Sequence, residues 1–132
     1  MEMSPQLNGV AKAPASRIAI RAGGKILFID SADIVAVEAE GHYVLLKHKS
    51  SSYMLHESIS TMAEKLSLFG FVRIHRSSLV NAAFVEEIQP LSTGEYTLRL
   101  RGGKKYTVTR TYKRNLHLLA ESWIGTNGFV AE

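Results

Sequence analysis

The chain has 132 residues, 45% of them hydrophobic and 21% charged, which suits the core of one folded domain and argues against a disordered chain. It contains no cysteine, which excludes disulfides and any cysteine-held zinc site. The formal charge is +4, and seven of the sixteen basic residues (Arg99, Arg101, Lys104, Lys105, Arg110, Lys113, Arg114) share a stretch with no acidic residue, as an electrostatic footprint for a polyanion would. No apolar run approaches the roughly 20 residues of a membrane-spanning helix, and the N-terminus has no apolar leader segment. The expectation is a soluble, cytoplasmic protein.

Residues 1–16 hold two of the three prolines and no periodicity, and read as a disordered linker. From Arg17 the pattern is β. Residues 17–21 alternate around Ile18 and Ile20, Gly23-Gly24 supplies a tight hairpin, and residues 25–29 return. Residues 30–33 have turn chemistry, and residues 34–39 are apolar enough for a buried strand. Glu40-Gly41-His42 breaks the run before a strand over 43–49, a serine turn at 50–52 and a short strand over 53–57. Ser58 is placed to cap a helix whose Ile59, Met62, Ala63 and Leu66 form one apolar stripe, with Gly70 as its C-terminal stop.

The stretch from Phe71 to Asn81 organises the rest. An apolar lead-in (Phe71, Val72, Ile74) runs into the polar cluster His75, Arg76, Ser77 and Ser78, and Leu79 and Val80 return the chain to the interior. Residues 84–91 read as a strand closed by Pro90 and the turn Ser92-Thr93-Gly94. Residues 95–101 turn Tyr96, Leu98 and Leu100 inward. After Gly102-Gly103, residues 104–109 do the same with Tyr106 and Val108. Residues 110–123 change period, and Tyr112, Leu116, Leu119 and Trp123 share one face of an expected terminal helix. Residues 124–132 read as a tail. Residues 17–123 therefore make one mainly β domain of small antiparallel sheets, with one central amphipathic helix and a C-terminal helix.

Arg76 carries a planar fork suited to guanine O6 and N7 or to a phosphate. Ser77, Ser78 and Arg73 are potential phosphate donors. His42 sits at a loop tip, Arg110 at the change from strand to helix, and Tyr43 at a strand end beside His42. Against this stands the plain alternative that an Arg or His of a β domain is a satisfied surface residue, with the ring of His75 tying its own loop to backbone. His42, His48 and His56 lack the spacing of a helical metal site, and neither Gly-Gly pair has phosphate-loop spacing. Glu86 and Glu87 should alternate across a strand, which disfavours a carboxylate dyad. Neither enzymatic activity nor a cofactor is expected.

Phe71-x-Arg73-x-His75-Arg76-Ser77-x-x-Val80-Asn81 closely resembles the signature of the LytTR family, the DNA-binding domain of LytR/AgrA-type bacterial regulators. Residues 34–39 with Gly41-His42-Tyr43-Val44, the helix over 58–66, and Val108-Thr109-Arg110-x-Tyr112 are similar to the family's other landmarks and fall in the same order. The resemblance implies an elongated body of small antiparallel sheets that inserts loops, rather than a recognition helix, into successive major grooves. It implies base contacts by His42, Arg76 and Arg110, and backbone contacts by Tyr43, Arg73, Ser77, Thr111 and Lys113, to which the acid-free basic stretch adds Arg114 as a phosphate contact. It also implies repeated half-sites on double-stranded DNA, with a homodimer on DNA as one arrangement. Many members carry an N-terminal receiver domain that residues 1–16 are too short to be. The chain is either a stand-alone regulator or part of a longer protein with a receiver, sensory or membrane domain upstream. The competing class is a β domain that binds RNA or another protein.

Overall fold

A computed structural model describes residues 16–125, and the expected linker and tail lie outside the described residues except at Ser16 and at residues 124–125. Among the described residues ten strands, all paired antiparallel, form three sheets. The first is the hairpin of β1 (Arg17–Ala22) and β2 (Lys25–Asp30). Its turn residues Gly23 and Gly24 have φ of 60° and 79°, the double positive-φ turn whose twist matches a two-residue hairpin.

The central sheet has the order β5-β4-β3-β7-β6. It contains β3 (Ile34–Glu40), β4 (Tyr43–His48), β5 (Ser52–Leu55), β6 (Phe71–His75) and β7 (Ser78–Asn81). The third sheet joins β8 (Val85–Pro90), β9 (Tyr96–Leu100) and β10 (Lys105–Val108) in the order β10-β9-β8.

Helix α1 (Ile59–Leu66) starts where the sequence says, with Ser58 Oγ accepting the Thr61 N–H at 3.0 Å. A 3-10 turn, Ser67–Phe69, extends it to Gly70.

The central sheet is buried on both faces. Val37, Val44, Leu46, Leu55 and Leu79 pack toward Met62 and Leu66 of α1 and Ile20 of β1. Ala36, Val72, Ile74 and Val80 pack on the other side against Leu98, Leu100, Val108 and Leu116. The period-2 alternation of each strand divides these sets between the two faces. The inward residues of β9 are buried as expected, while Tyr106 is only half-buried, its ring packed on the second cluster.

Asn81 locks the far end of β7. Its side chain is buried, with Nδ2 donating to Ile34 O at 2.9 Å and Oδ1 accepting from Ala83 N–H at 3.0 Å. The 3-10 turn Ala82–Phe84 starts from that cap, so β8 begins at Val85 rather than at Phe84.

The terminal helix differs from expectation. Arg110–Leu119 winds as a 3-10 helix, and Trp123 lies beyond its end. Thr111, Arg114 and His117, spaced by three, are exposed, while Leu116 is fully buried and Leu119 packs against the same core. Thr109 offers no side-chain cap, and the segment is instead pinned to β6 by Thr109 N–H on Ile74 O at 3.1 Å and Asn115 Nδ2 on Arg73 O at 2.8 Å. Three residues per turn stacks Tyr112 and Asn115 in one row against β6, whereas a 3.6-residue winding would offset them by about 60°.

Candidate nucleic-acid interface

Strand polarity brings the sequence-separated loops together. Strand β3 runs antiparallel to both β4 and β7, so the β3–β4 turn and the β6–β7 turn lie at the same end of the central sheet. Ala39 N–H donates to Ser77 O at 2.9 Å, which sets the two turns side by side. The Thr109–Ile74 hydrogen bond makes β10 end beside β6, so Arg110 leaves the third sheet at this same end. His42, Arg76 and Arg110 are all exposed there. Arg110 crosses the β8–β9 turn over bare backbone, because a Cβ placed on Gly94 would sit 3.4 Å from its Cδ and Nε.

The polar cluster of the sequence resolves into a β6–β7 hairpin whose tip is Arg76-Ser77 alone. Ile74 and Val80 on its two strands are fully buried and anchor it. His75 has the structural role weighed above: its Nδ1 accepts the Ser77 N–H at 3.1 Å and lies 2.9 Å from Ser77 Oγ. Ser78 lies inside β7 and is buried, so of the two serines only Ser77 stands at the tip.

Arg73 is turned partly inward. Its Nε donates to His75 O at 3.2 Å, Nη2 donates to Arg76 O, and Nη1 reaches Ser60 Oγ at 3.4 Å. The guanidinium also lies 5.4 Å from the centre of the Tyr112 ring. Two of its five N–H groups are left for a ligand.

Tyr43 is 44% exposed, and its ring stands 5.0 Å from that of His56, which follows β5 at the same end of the sheet. The register Val44↔Leu55 extends to Tyr43 opposite His56. Antiparallel counting across the serine turn sets His56 opposite Tyr43, a pairing that the histidine spacing alone does not reveal. An open groove of about 440 Å³ lies beside this pair, lined among others by Ala39, Gly41, His42 and Ile59. Thr111 and Arg114 are exposed on the 3-10 helix, whereas Lys113 is half-buried.

The basic stretch does not form one surface. Arg99 is held by Glu86 at 2.8 Å and Glu87 at 2.9 Å. A bulge in β8 between Val85 and Glu87 lets both carboxylates reach one guanidinium, which overturns the expectation that they part to opposite faces. Arg101 donates to Ala83 O and lies on the Phe84 ring, and Lys104 is 3.8 Å from Glu38. These cations sit at or near the β9–β10 turn, while Arg110 follows the opposite end of β10. Of the seven, Arg110 lies at the loop end, and Lys113 and Arg114 follow it on the 3-10 segment.

A third link ties the sheets behind that end. The Tyr106 hydroxyl donates to Glu38 Oε2, joining β10 to β3, and Lys47 stands 3.9 Å from the same carboxylate. Burial, reinforced by the Glu38 hydrogen bond and charge, raises the Tyr106 phenol well above its ordinary value.

A three-sheet β body thus presents basic and histidine side chains from separate loops at one end, a surface suited to a polyanion. Residues 24–121 match the family described as LytTr DNA-binding domain, and the chain belongs to that family. It is 33% identical over 103 residues to a sensory transduction protein LytT of Bacillus subtilis, covering 78% of this chain and 43% of that one. It is 32% identical over 114 residues to a positive alginate biosynthesis regulatory protein of Pseudomonas aeruginosa, covering 80% of this chain and 45% of the relative. The chain thus spans less than half the length of these relatives. A solved LytTr DNA-binding domain from Bacillus cereus shares the fold at a TM-score of 0.68 and 18% identity, covering 79% of this chain and 95% of that one. Membership defines the coarse function, DNA binding.

Proposed function

We propose that residues 17–123 bind double-stranded DNA sequence-specifically as the output of a bacterial transcriptional regulator, acting in the cytoplasm. The three loops enter successive major grooves, and His42, Arg76 and Arg110 read base edges. Tyr43, Ser77, Thr111, Lys113, Arg114 and the two outward N–H groups of Arg73 contact the backbone. The observation that carries this reading is the arrival of three exposed side chains, from three loops far apart in sequence, at one end of one sheet. A groove-inserted helix is not required: α1 lies on the body with Met62 and Leu66 buried in its core.

The proposal extends to repeated half-sites, bound by two copies side by side on DNA. One domain offers a single reading edge, and a longer operator needs a second. In a longer regulator, a receiver or sensory domain would be the partner that controls access to DNA. Selection from a random duplex pool tests the proposal. The expected result is an enriched motif, repeated at a spacing near one or two helical turns, about 10–21 base pairs. Equal affinity for single-stranded RNA and for the enriched duplex at physiological salt would move the chain to the RNA-binding class.

A further inference from the structure

Arg73 has a second task beyond any contact with a phosphate. We infer that Arg73, walled by Ser60 and Tyr112, is a positioning residue that sets the direction in which Arg76 leaves the β6–β7 turn and hence the base it reads. The inference rests on the DNA-reading function proposed above and adds the device that aims one of its readers.

A two-residue hairpin turn normally takes positive φ to match the twist of its strands. Arg76-Ser77 does not, since every positive φ among the described residues belongs to glycine. The hairpin takes up the mismatch in a bulge between Arg73 and His75. Side chains then fix the turn. The peptide unit joining Arg76 to Ser77 is gripped at both ends: Arg73 Nη2 donates to the Arg76 carbonyl, and the Ser77 N–H donates to His75 Nδ1 at 3.1 Å. Holding that plane fixes ψ of Arg76 and narrows the directions open to its side chain.

The same guanidinium reaches the neighbouring His75 carbonyl through Nε at 3.2 Å, so one planar group spans two successive carbonyls. Its own placement comes from outside the hairpin, from Ser60 on α1 at 3.4 Å and from the Tyr112 ring at 5.4 Å. Tyr112 lies two residues after Arg110, and Asn115 of the same segment donates to Arg73 O at 2.8 Å. Arg73 therefore also ties the turn bearing Arg76 to the segment that begins at Arg110. A lysine here would keep the charge and lose the fork, since one ammonium cannot hold two carbonyls in a plane while lying on a ring.

Two variants test this, each with a readout on free protein and one on DNA. The double variant Ser60→Ala/Tyr112→Leu removes the walls and touches no residue assigned to DNA. Arg73→Lys removes the fork and keeps the charge. Hydrogen exchange of the Ser77 amide in free protein should speed up by about tenfold in both, as expected for a local opening rather than global unfolding. On DNA, the double variant should lose about tenfold in preference for the selected duplex over a scrambled one, with binding to the scrambled duplex unchanged. Arg73→Lys should lose more on the selected duplex than on the scrambled one, with the salt slope retained. Ser77 exchange as slow as in the parent protein, or equal losses on both duplexes, would overturn the positioning role. A parent protein that does not prefer the selected duplex would sink the DNA-reading proposal instead, and the exchange arm would still decide whether Arg73 holds the turn.

Discussion

Asn81 shows how one side chain can be mistaken for part of a site. It closes the family signature, yet it lies at the end of β7 away from the reading loops, buried and bonded to Ile34 O and to Ala83 N–H. Truncating it strands the carbonyl of the fully buried Ile34 and leaves the Ala83 amide without its side-chain acceptor. Asn81→Ala should therefore cost about 2 kcal/mol of stability, measured by urea unfolding, and leave the preference among DNA sequences unaltered in the folded fraction. Tyr106 carries a second residue-scale prediction. Its phenol is raised by burial and then by Glu38, so the folded value lies above the unfolded one, and the neutral form is favoured by folding. The sign follows from linkage: this contribution is fully present below the unfolded value of about 10 and is lost as pH rises through the folded value. A spectroscopic titration should show the Tyr106 phenol ionising above its ordinary value, and Glu38→Gln should bring it down part of the way. A Tyr106 titration that Glu38→Gln leaves unmoved would mean that the β3–β10 hydrogen bond does not form in solution.

Among the elements, the 3-10 helix and the bulge in β8 decide which cations are free for the proposed contact with DNA. The three-residue winding exposes Thr111 and Arg114, while the bulge commits Arg99 to two glutamates. Arg114→Ala should lower the slope of log K against log salt by roughly one unit, as for the loss of one phosphate contact. Arg99→Ala should leave that slope unchanged, because no phosphate replaces Glu86 and Glu87 as its partner. A fall of one unit for Arg99→Ala would return the whole basic stretch to the interface. Both features escaped the sequence for physical reasons. A stripe of Tyr112, Leu116, Leu119 and Trp123 fits a 3.6-residue period, and nothing local says that Asn115 and Thr109 will be pinned to β6 instead. A bulge changes the facing of every residue after it, and Glu86-Glu87 carries no mark of one. The hairpins, by contrast, were legible. Gly23-Gly24 and the alternation of residues 95–101 are local signals that the tertiary structure leaves intact.

At the scale of the whole molecule, the candidate site exists because of one long-range pairing. Strands β3 and β7 are neighbours in the sheet but not in sequence, and their antiparallel register sets the His42 turn beside the Arg76 turn. Motif by motif, the sequence pointed to His42, Arg76 and Arg110. Their meeting at one end is a property of the sheet order β5-β4-β3-β7-β6 and of the Thr109–Ile74 hydrogen bond, neither of which periodicity can supply. The central claim is that this end reads bases, with Arg76 as one reader on an anchored turn. Titrating Arg76→Ala against a selected duplex and its scrambled counterpart at one fixed salt concentration tests it most directly. A loss of about 1–3 kcal/mol on the selected duplex, with preference relaxed at a single base pair and little change on the scrambled one, is the predicted result. An equal loss on both duplexes would make Arg76 a phosphate contact and contradict the account.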